Sequence, residues 1–412
     1  MPAPSSDQPS SPDQPEVIIA SIQRPEGVTG LNTHIGQFRG FLEADGIAVT
    51  MLTPLYRLKA LALAVFAARK LIDPLNGALG VWWFYRWRGF FLRLALSKAL
   101  ERGRSCVIYA QCLVSAQSAL RARKHSGQKV VLAVHFNRSE AEEWHHAGKI
   151  QRDDWVYRGI LALEAETLPK LDGLHFVSQF MHDHVHALYP AVGRCKSVVL
   201  FNFIADPGPP RAGERAADLI CIGPLEPRKN QAYLIRVLHE AQKLGHRYSL
   251  ALVGPGPDRQ RLQQLARDLG VLDQVDFMGF QPDAKRLLPN HRAYVHSALI
   301  ENFPFVLVEA AAYGLPVLAA PVGGVPEVFQ DGEQGFYWPL EDPAEGARKL
   351  IAILEDEATY ERLAKGARQR FVAYNAAETV APKLKRFILS IAAEGTGERA
   401  EERSDTPVEA QA

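Results

Sequence analysis

Glu301 and Glu309, separated by seven residues in ENFPFVLVE, are two carboxylates placed around the start of a helix. Pro304 lies between them, where a first-turn proline is tolerated because its missing N–H would be unpaired anyway. The pattern predicts a helix from Pro304 to about Tyr313, stopped by Gly314 and Pro316. The free N–H groups at its start, those of Asn302, Phe303, Phe305 and Val306, and the positive end of its dipole suit an anion, with a diphosphate as the natural candidate. Glu309 lies about a turn and a half down that helix, within reach of hydroxyls on a sugar attached to the phosphate. Glu301 faces the other side from the loop. A fixed carboxylate accepts two hydroxyl hydrogen bonds at once, which is the chemistry of sugar recognition. A buried strand at 317–320 and a loop with Gly323 and Gly324 follow, so two helix N-termini open at the ends of adjacent strands, and a ligand could approach the glycine backbone closely.

The N-terminal half holds sparser candidates. His135 ends the apolar run VVLAVH, which puts it at the carboxyl edge of a parallel sheet, where open α/β folds place their ligands; a structural histidine reads the same way. The strand at 17–21, the loop RPEGVTG with Gly27 and Gly30, and a helix at 31–42 form a phosphate-facing turn in shape, without the G-x-G-x-x-G fingerprint; a plain connecting turn is the alternative. His182 and His186 share a helix face at a spacing that can bind zinc, but His184 points elsewhere and no third ligand is evident, so an amphipathic surface helix is preferred. No Asp-x-Asp motif lies at a strand end, and no metal site is expected.

At these residues the chain resembles the retaining glycosyltransferases of the GT-B fold, in the large family 4. The signature of that family is two glutamates separated by seven residues, then E-A-x-A-x-G-x-P and G-G-x-P-E. Here the pieces are Glu301 to Glu309, EAAAYGLP at 309–316 and GGVPE at 323–327. The joint motif in this order is specific, whereas the glutamate pair alone could belong to an ordinary surface helix. The resemblance is specific over 219–338 and diffuse before it.

It implies an α/β fold of two Rossmann-like doubly wound domains facing a central cleft. The implied reaction moves a sugar from a nucleotide diphosphate sugar, UDP-sugar first and GDP-mannose next, to an acceptor hydroxyl with retention. No cofactor is implied beyond that co-substrate. Glu309 is implied to hold the ribose, and Glu301 and His135 the transferred sugar. Lys229 is implied to neutralise the donor phosphates, approached also by the Gly27–Gly30 loop and by Gly223. The turn at Gly279 is implied to lie against the base. Pro224 stands where the family usually has arginine, so that contact is missing unless Arg228 supplies it. No carboxylate is placed below the anomeric carbon, as double displacement requires. Front-face transfer, with the protein stabilising charge on the departing diphosphate, is the implied mechanism.

The elements that must position these groups fall into two domains, as expected for 412 residues. The expected divisions are a disordered tail at 1–16, an acceptor-side domain at 17–206, a linker at 207–217, a donor domain at 218–373, a helix at 374–393 that the resemblance sends back across the N-terminal domain, and a disordered tail at 394–412. A net charge of +1 gives no global field for nucleic acid, which is not an expected partner. Four cysteines without metal-like spacing, and no leader-like run, read as reduced thiols of a cytoplasmic protein.

Residues 56–104 carry ten Lys or Arg against Asp73 and Glu101, around the cluster WWFYRWR. Such a segment suits an anionic membrane surface, with a peripheral location on the inner face of the plasma membrane; helices that simply cover one face of a sheet are the alternative. A glycan or lipid-linked acceptor, as in cell-surface polysaccharide or glycolipid assembly, fits the first reading. Two other functions stay open: a non-catalytic nucleotide-sugar-binding partner subunit, and a phosphorylase or epimerase of the same fold.

Overall fold

A computed structural model describes residues 15–23, 30–100, 104–208 and 215–393. The first half is β1 (Glu16–Ala20), α1 (Gly30–Ala44), β2 (Val49–Leu52), α2 (Lys59–Ile72), α3 (Gly77–Ala99), β3 (Cys106–Ala110), α4 (Leu113–Ala122), β4 (Gln128–Val134), α5 (Glu140–His146), α6 (Trp155–Thr167), β5 (Gly173–Phe176), α7 (Gln179–Leu188) and β6 (Lys196–Val199). The second is β7 (Ala217–Ile222), α8 (Gln231–Lys243), β8 (Leu250–Val253), α9 (Arg259–Asp268), β9 (Val275–Gly279), β10 (His291–His296), α10 (Phe305–Ala312), β11 (Val317–Ala319), α11 (Val325–Val328), β12 (Gly335–Tyr337), α12 (Pro343–Leu354), α13 (Glu357–Tyr374) and α14 (Ala377–Ala393).

The strands form two six-stranded sheets, ordered β2-β1-β3-β4-β5-β6 and β12-β11-β10-β7-β8-β9. Every recorded strand pair is parallel. Parallel sheets are covered on both faces, which is why central strands such as CVIYA of β3 are apolar throughout and wholly buried. In the first sheet Ile18, Ile108 and Val130 pack with Leu92 and Leu96 of α3 and Val114 of α4. On the opposite face Ile19, Val107 and Val131 meet Phe38 of α1 and Leu384 and Ile388 of α14. The helix α14 therefore sits on the first sheet although it follows the second in sequence. Gly173 makes room for it, since a Cβ there would stand 2.1 Å from Ile391 Cδ1.

Several boundaries differ from those expected. The strand β1 takes in Glu16, inside the stretch read as a tail, because Glu16 pairs with Cys106 on β3; residues 1–14 and 394–412 lie outside the described residues. The helix after Glu301 starts at Phe305, with Pro304 in the cap position. In the 56–104 segment, α3 buries Phe91, Leu92, Ala95 and Leu96, whereas α2 buries only Ala62. No helix among the described residues is long and apolar enough to cross a membrane.

Candidate active site

Both sheets turn their carboxyl edges toward a cleft of about 740 Å³ between the domains. One wall is the segment after β10 and the start of α10. Glu301 is 6 % exposed, and its Oε1 accepts from Lys229 Nζ and from His296 Nε2 at 3.1 Å, with Arg228 3.8 Å away. Burial alone would raise the Glu301 carboxyl, but Lys229, His296 and Arg228 outweigh it and hold it well below the usual carboxylate range. The glutamate is thus a fixed anion and Lys229 is fixed beside it.

Glu309 faces the same cleft from α10 without such a cation in contact. Burial pushes its carboxyl up to about 7, against a smaller pull from Lys285. Asn302, Phe303, Phe305 and Val306 line the space between the two glutamates. Across it stands the start of α1: a Cβ on Gly30 would lie 2.7 Å from the Phe305 side chain, so the N-termini of α1 and α10 meet at this point. Their free amides give the cleft a positive patch without a metal.

The other wall comes from strand ends and helices of the first domain. His135 lines the cleft, and its buried Nε2 has no hydrogen-bond partner. Burial, reinforced by His175, lowers its imidazole to about 3, so it is neutral at physiological pH. Behind it His34 of α1 is fully buried, 5.6 Å from the His135 ring, with neither ring nitrogen partnered. His175 anchors this group by donating from Nε2 to the Leu200 carbonyl at 2.8 Å and accepting from the Tyr109 hydroxyl at 2.7 Å. Glu143 of α5 also lines the cleft; its Oε1 accepts from the backbone and side-chain nitrogens of Asn137, both at 2.9 Å.

The walls are tied below the cleft. The Asn302 side chain donates to the Phe136 carbonyl at 3.0 Å and accepts from Ser178 at 2.5 Å. Glu327 accepts from the backbone N–H of Gln179 at 2.6 Å and of Phe180 at 2.7 Å, capping α7 from the opposite domain. The Gly323–Gly324 loop serves this junction and is not part of the cleft lining. A Cβ on either would stand 1.9 Å from the carbonyl oxygen of Glu301 or Asn302, so the glycines are needed for two loops of the chain to touch.

The expected site residues therefore separate. Gly30, His135, Gly223, Lys229, Glu301, Asn302, Phe303, Phe305, Val306 and Glu309 share the cleft lining. Arg228 does not: its guanidinium donates to Glu226 at 2.9 Å, a nearer carboxylate than Glu301 at 3.8 Å. Gly279 does not either, since its carbonyl is used by Gly254 N–H at 2.8 Å, and residues 281–285 take its place at the lining. Gly27 lies outside the described residues. Sequence reasoning missed His34, His296, Lys285 and Glu143. His296 ends β10 at the carboxyl edge, the same signal that singled out His135; His34 sits inside a helix and gives none.

Two family profiles cover most of the chain: one described as Glycosyltransferase Family 4 matches residues 28–206, and one described as Glycosyl transferases group 1 matches residues 205–370. The N-acetyl-alpha-D-glucosaminyl L-malate synthase of Bacillus anthracis is 35% identical over 120 residues, 29% of this chain and 32% of that protein. The GDP-mannose-dependent alpha-(1-6)-phosphatidylinositol monomannoside mannosyltransferase of Mycolicibacterium smegmatis is 37% identical over 128 residues, 28% of this chain and 33% of its own length. The matches thus span about a third of these two relatives. Glycogen synthase of Mycobacterium tuberculosis is 28% identical over 281 residues, 67% of this chain and 66% of that one.

Among solved structures, sucrose-phosphate synthase from Thermosynechococcus elongatus superposes with a TM-score of 0.70 at 18% identity, over 92% of this chain and 100% of that one. Anabaena HepE in complex with UDP does so with a TM-score of 0.64 at 19% identity, over 91% and 100%. Both carry the GT-B fold likeness only. With two facing six-stranded parallel sheets, the glutamate pair in the cleft between them and both profiles matched in tandem, the chain belongs to the group 1, family 4 glycosyltransferases.

Proposed function

We propose that the protein is a retaining glycosyltransferase that moves a sugar from a nucleotide diphosphate sugar to an acceptor hydroxyl. The observation that carries this reading is one cleft holding an unpaired Glu309 at one end, the Lys229–Glu301 pair at the other, and two helix N-termini between them. Glu309 holds the ribose hydroxyls, Lys229 and the amides from Asn302 to Val306, Pro304 excepted, hold the diphosphate, and Glu301 with His135 holds the sugar. The leaving diphosphate takes the acceptor proton, and the fixed charges lower the cost of its departure.

A UDP-sugar is the favoured donor and GDP-mannose the next; a similar fold was solved in complex with UDP and one relative is named GDP-mannose-dependent, which supports testing both. A glycan or lipid-linked acceptor at an anionic membrane surface fits the basic, aromatic 56–104 segment and its exposed Leu71 and Leu75.

A thermal-shift panel of UDP, GDP, ADP and CMP tests the donor half. A ligand specific to the folded state adds about 2.7 kcal/mol at a hundredfold excess over its Kd. A shift with one base, followed by an α-linked product from an α-linked donor by NMR, is the expected result; no shift with any base overturns it. Pro224 at the lining, with Arg228 turned to Glu226, supports a second reading as a non-catalytic partner subunit, for which nucleotide binding without transfer or donor hydrolysis is the distinguishing result.

A further inference from the structure

A second cavity, of about 380 Å³, lies between α3 and α4 on the outer side of the first domain. Trp82, Arg86, Phe90 and Arg93 fall on one face of α3, at helical spacing, and alternate aromatic with cationic. Arg121 of α4 faces them. The floor is opened by Gly89, where a Cβ would come within 3.2 Å of Val114, and by Ser118, whose hydroxyl donates to the Gly89 carbonyl at 3.2 Å. The lining contains no carboxylate. Among the described residues no ion pair joins Arg86, Arg93 or Arg121 to an acid. Glu166, the carboxylate that feels Arg121, is held by Lys170 at 3.1 Å.

Three guanidiniums brought to one groove without a counter-charge repel one another unless an anion joins them, and guanidinium forks match phosphate oxygens. The groove also continues into an apolar rim. Leu75 in the turn before α3 and Leu79 and Trp82 in its first turns are 88 %, 39 % and 38 % exposed, and the Trp82 ring lies 6.4 Å from the exposed ring of Trp155. Phosphate chemistry beside an exposed apolar ridge is the profile of a lipid headgroup with its acyl region next to it.

We propose that Arg86, Arg93 and Arg121 form a binding site for the phosphate of an anionic glycerophospholipid headgroup, with the Leu75–Leu79–Trp82 ridge entering the acyl boundary. This rests on the membrane-surface reading above and adds to it a discrete headgroup pocket. The groove stands back to back with the acceptor side of the cleft, because Tyr85, on its wall, donates at 2.5 Å to Glu140, which lines the cleft.

The test combines vesicle flotation with titration of a water-soluble lipid. The parent protein is expected to float with vesicles of phosphatidylcholine and phosphatidylglycerol and to bind dihexanoyl phosphatidylglycerol saturably below its micelle point, with inorganic phosphate competing only weakly. Each arginine near the surface contributes about fivefold, so R86Q/R93Q/R121Q is expected to weaken vesicle binding by about a hundredfold and to lose the saturable site. A loss under tenfold overturns the pocket while leaving the membrane reading in place. Flotation without saturable binding of the soluble lipid also overturns it, in favour of diffuse charge attraction, and phosphate competing as well as the lipid shows a free-phosphate site instead. No flotation of the parent overturns both readings. The nucleotide thermal shift measured on each preparation is unaffected by these residues, which keeps the fate of the transferase reading separate and checks that the variant is folded.

Discussion

The two walls of the cleft are built in opposite ways. On the second-domain side most polar groups come from the run His296 to Glu309, and those around Glu301 are locked in advance: Glu301 already holds His296 and Lys229, the latter more distant in sequence, and Asn302 is committed to Ser178 and Phe136, while Glu309 is left unpaired. On the first-domain side His34 and His135 come from elements far apart in sequence and leave buried ring nitrogens without partners. A prearranged charge costs no reorganisation when a diphosphate leaves, whereas the unpaired neutral imidazole of His135, which lines the cleft, is open to a ligand hydroxyl, and His34 is buried behind it. The difference teaches that one wall of the cleft is written largely into local sequence and the other into tertiary contact.

Breaking the locked wall should cost most. Lys229→Ala leaves Glu301 a buried anion with a single strong partner gone, so about 3 kcal/mol of stability is expected to be lost in denaturant unfolding. Turnover should fall by a hundredfold to a thousandfold in the same variant, roughly the effect of removing one donor to a developing charge. Next in size is the open wall. His135→Ala should lower kcat by about a hundredfold with nucleotide affinity unchanged by calorimetry, since the proposed role of His135 is toward the sugar and not the base or ribose; equal loss of nucleotide affinity would erase the contrast between the walls.

Glu309 sharpens the comparison by its titration. Its folded value of about 7 lies above the ordinary 4.5, so the folded chain binds more protons than the unfolded one between those values. Stability of the free protein should therefore fall as pH rises through that window. Nucleotide affinity should rise over the same window as the carboxylate forms, and Glu309→Gln should flatten that rise while weakening binding by roughly 1.5–3 kcal/mol. The smallest effect belongs to the seam between the walls. Glu327→Ala removes two acceptors from the first turn of α7, whose Ser178 cap remains, and should cost about 1 kcal/mol in thermal unfolding and raise KM for the donor more than it lowers kcat.

The fold was legible because parallel strands buried on both faces announce themselves as apolar runs, and because Glu301, Glu309 and the glycine turns lie close together in the chain. Arg228 could not be placed from sequence, since the choice between a ligand phosphate and Glu226 depends on side-chain distances. Gly323 and Gly324 showed the opposite limit. Their need for close approach was plain, but what approaches, the Glu301–Asn302 backbone, is a tertiary fact. His34 was invisible for a related reason: on a buried helix face a histidine carries no periodic mark that separates it from Phe38 one turn on.

The seating of α14 on the first sheet sets the order in which the chain can mature. Val107 and Val131 emerge early from the ribosome, yet the part of their sheet's face that α1 does not cover stays bare until α14 has been made, after every strand of the second sheet. The second sheet has its own helices at hand and can close first, reversing the usual order in which the earlier domain completes itself during synthesis. During that interval the nascent first sheet presents an apolar face, and chaperone dependence should be concentrated there.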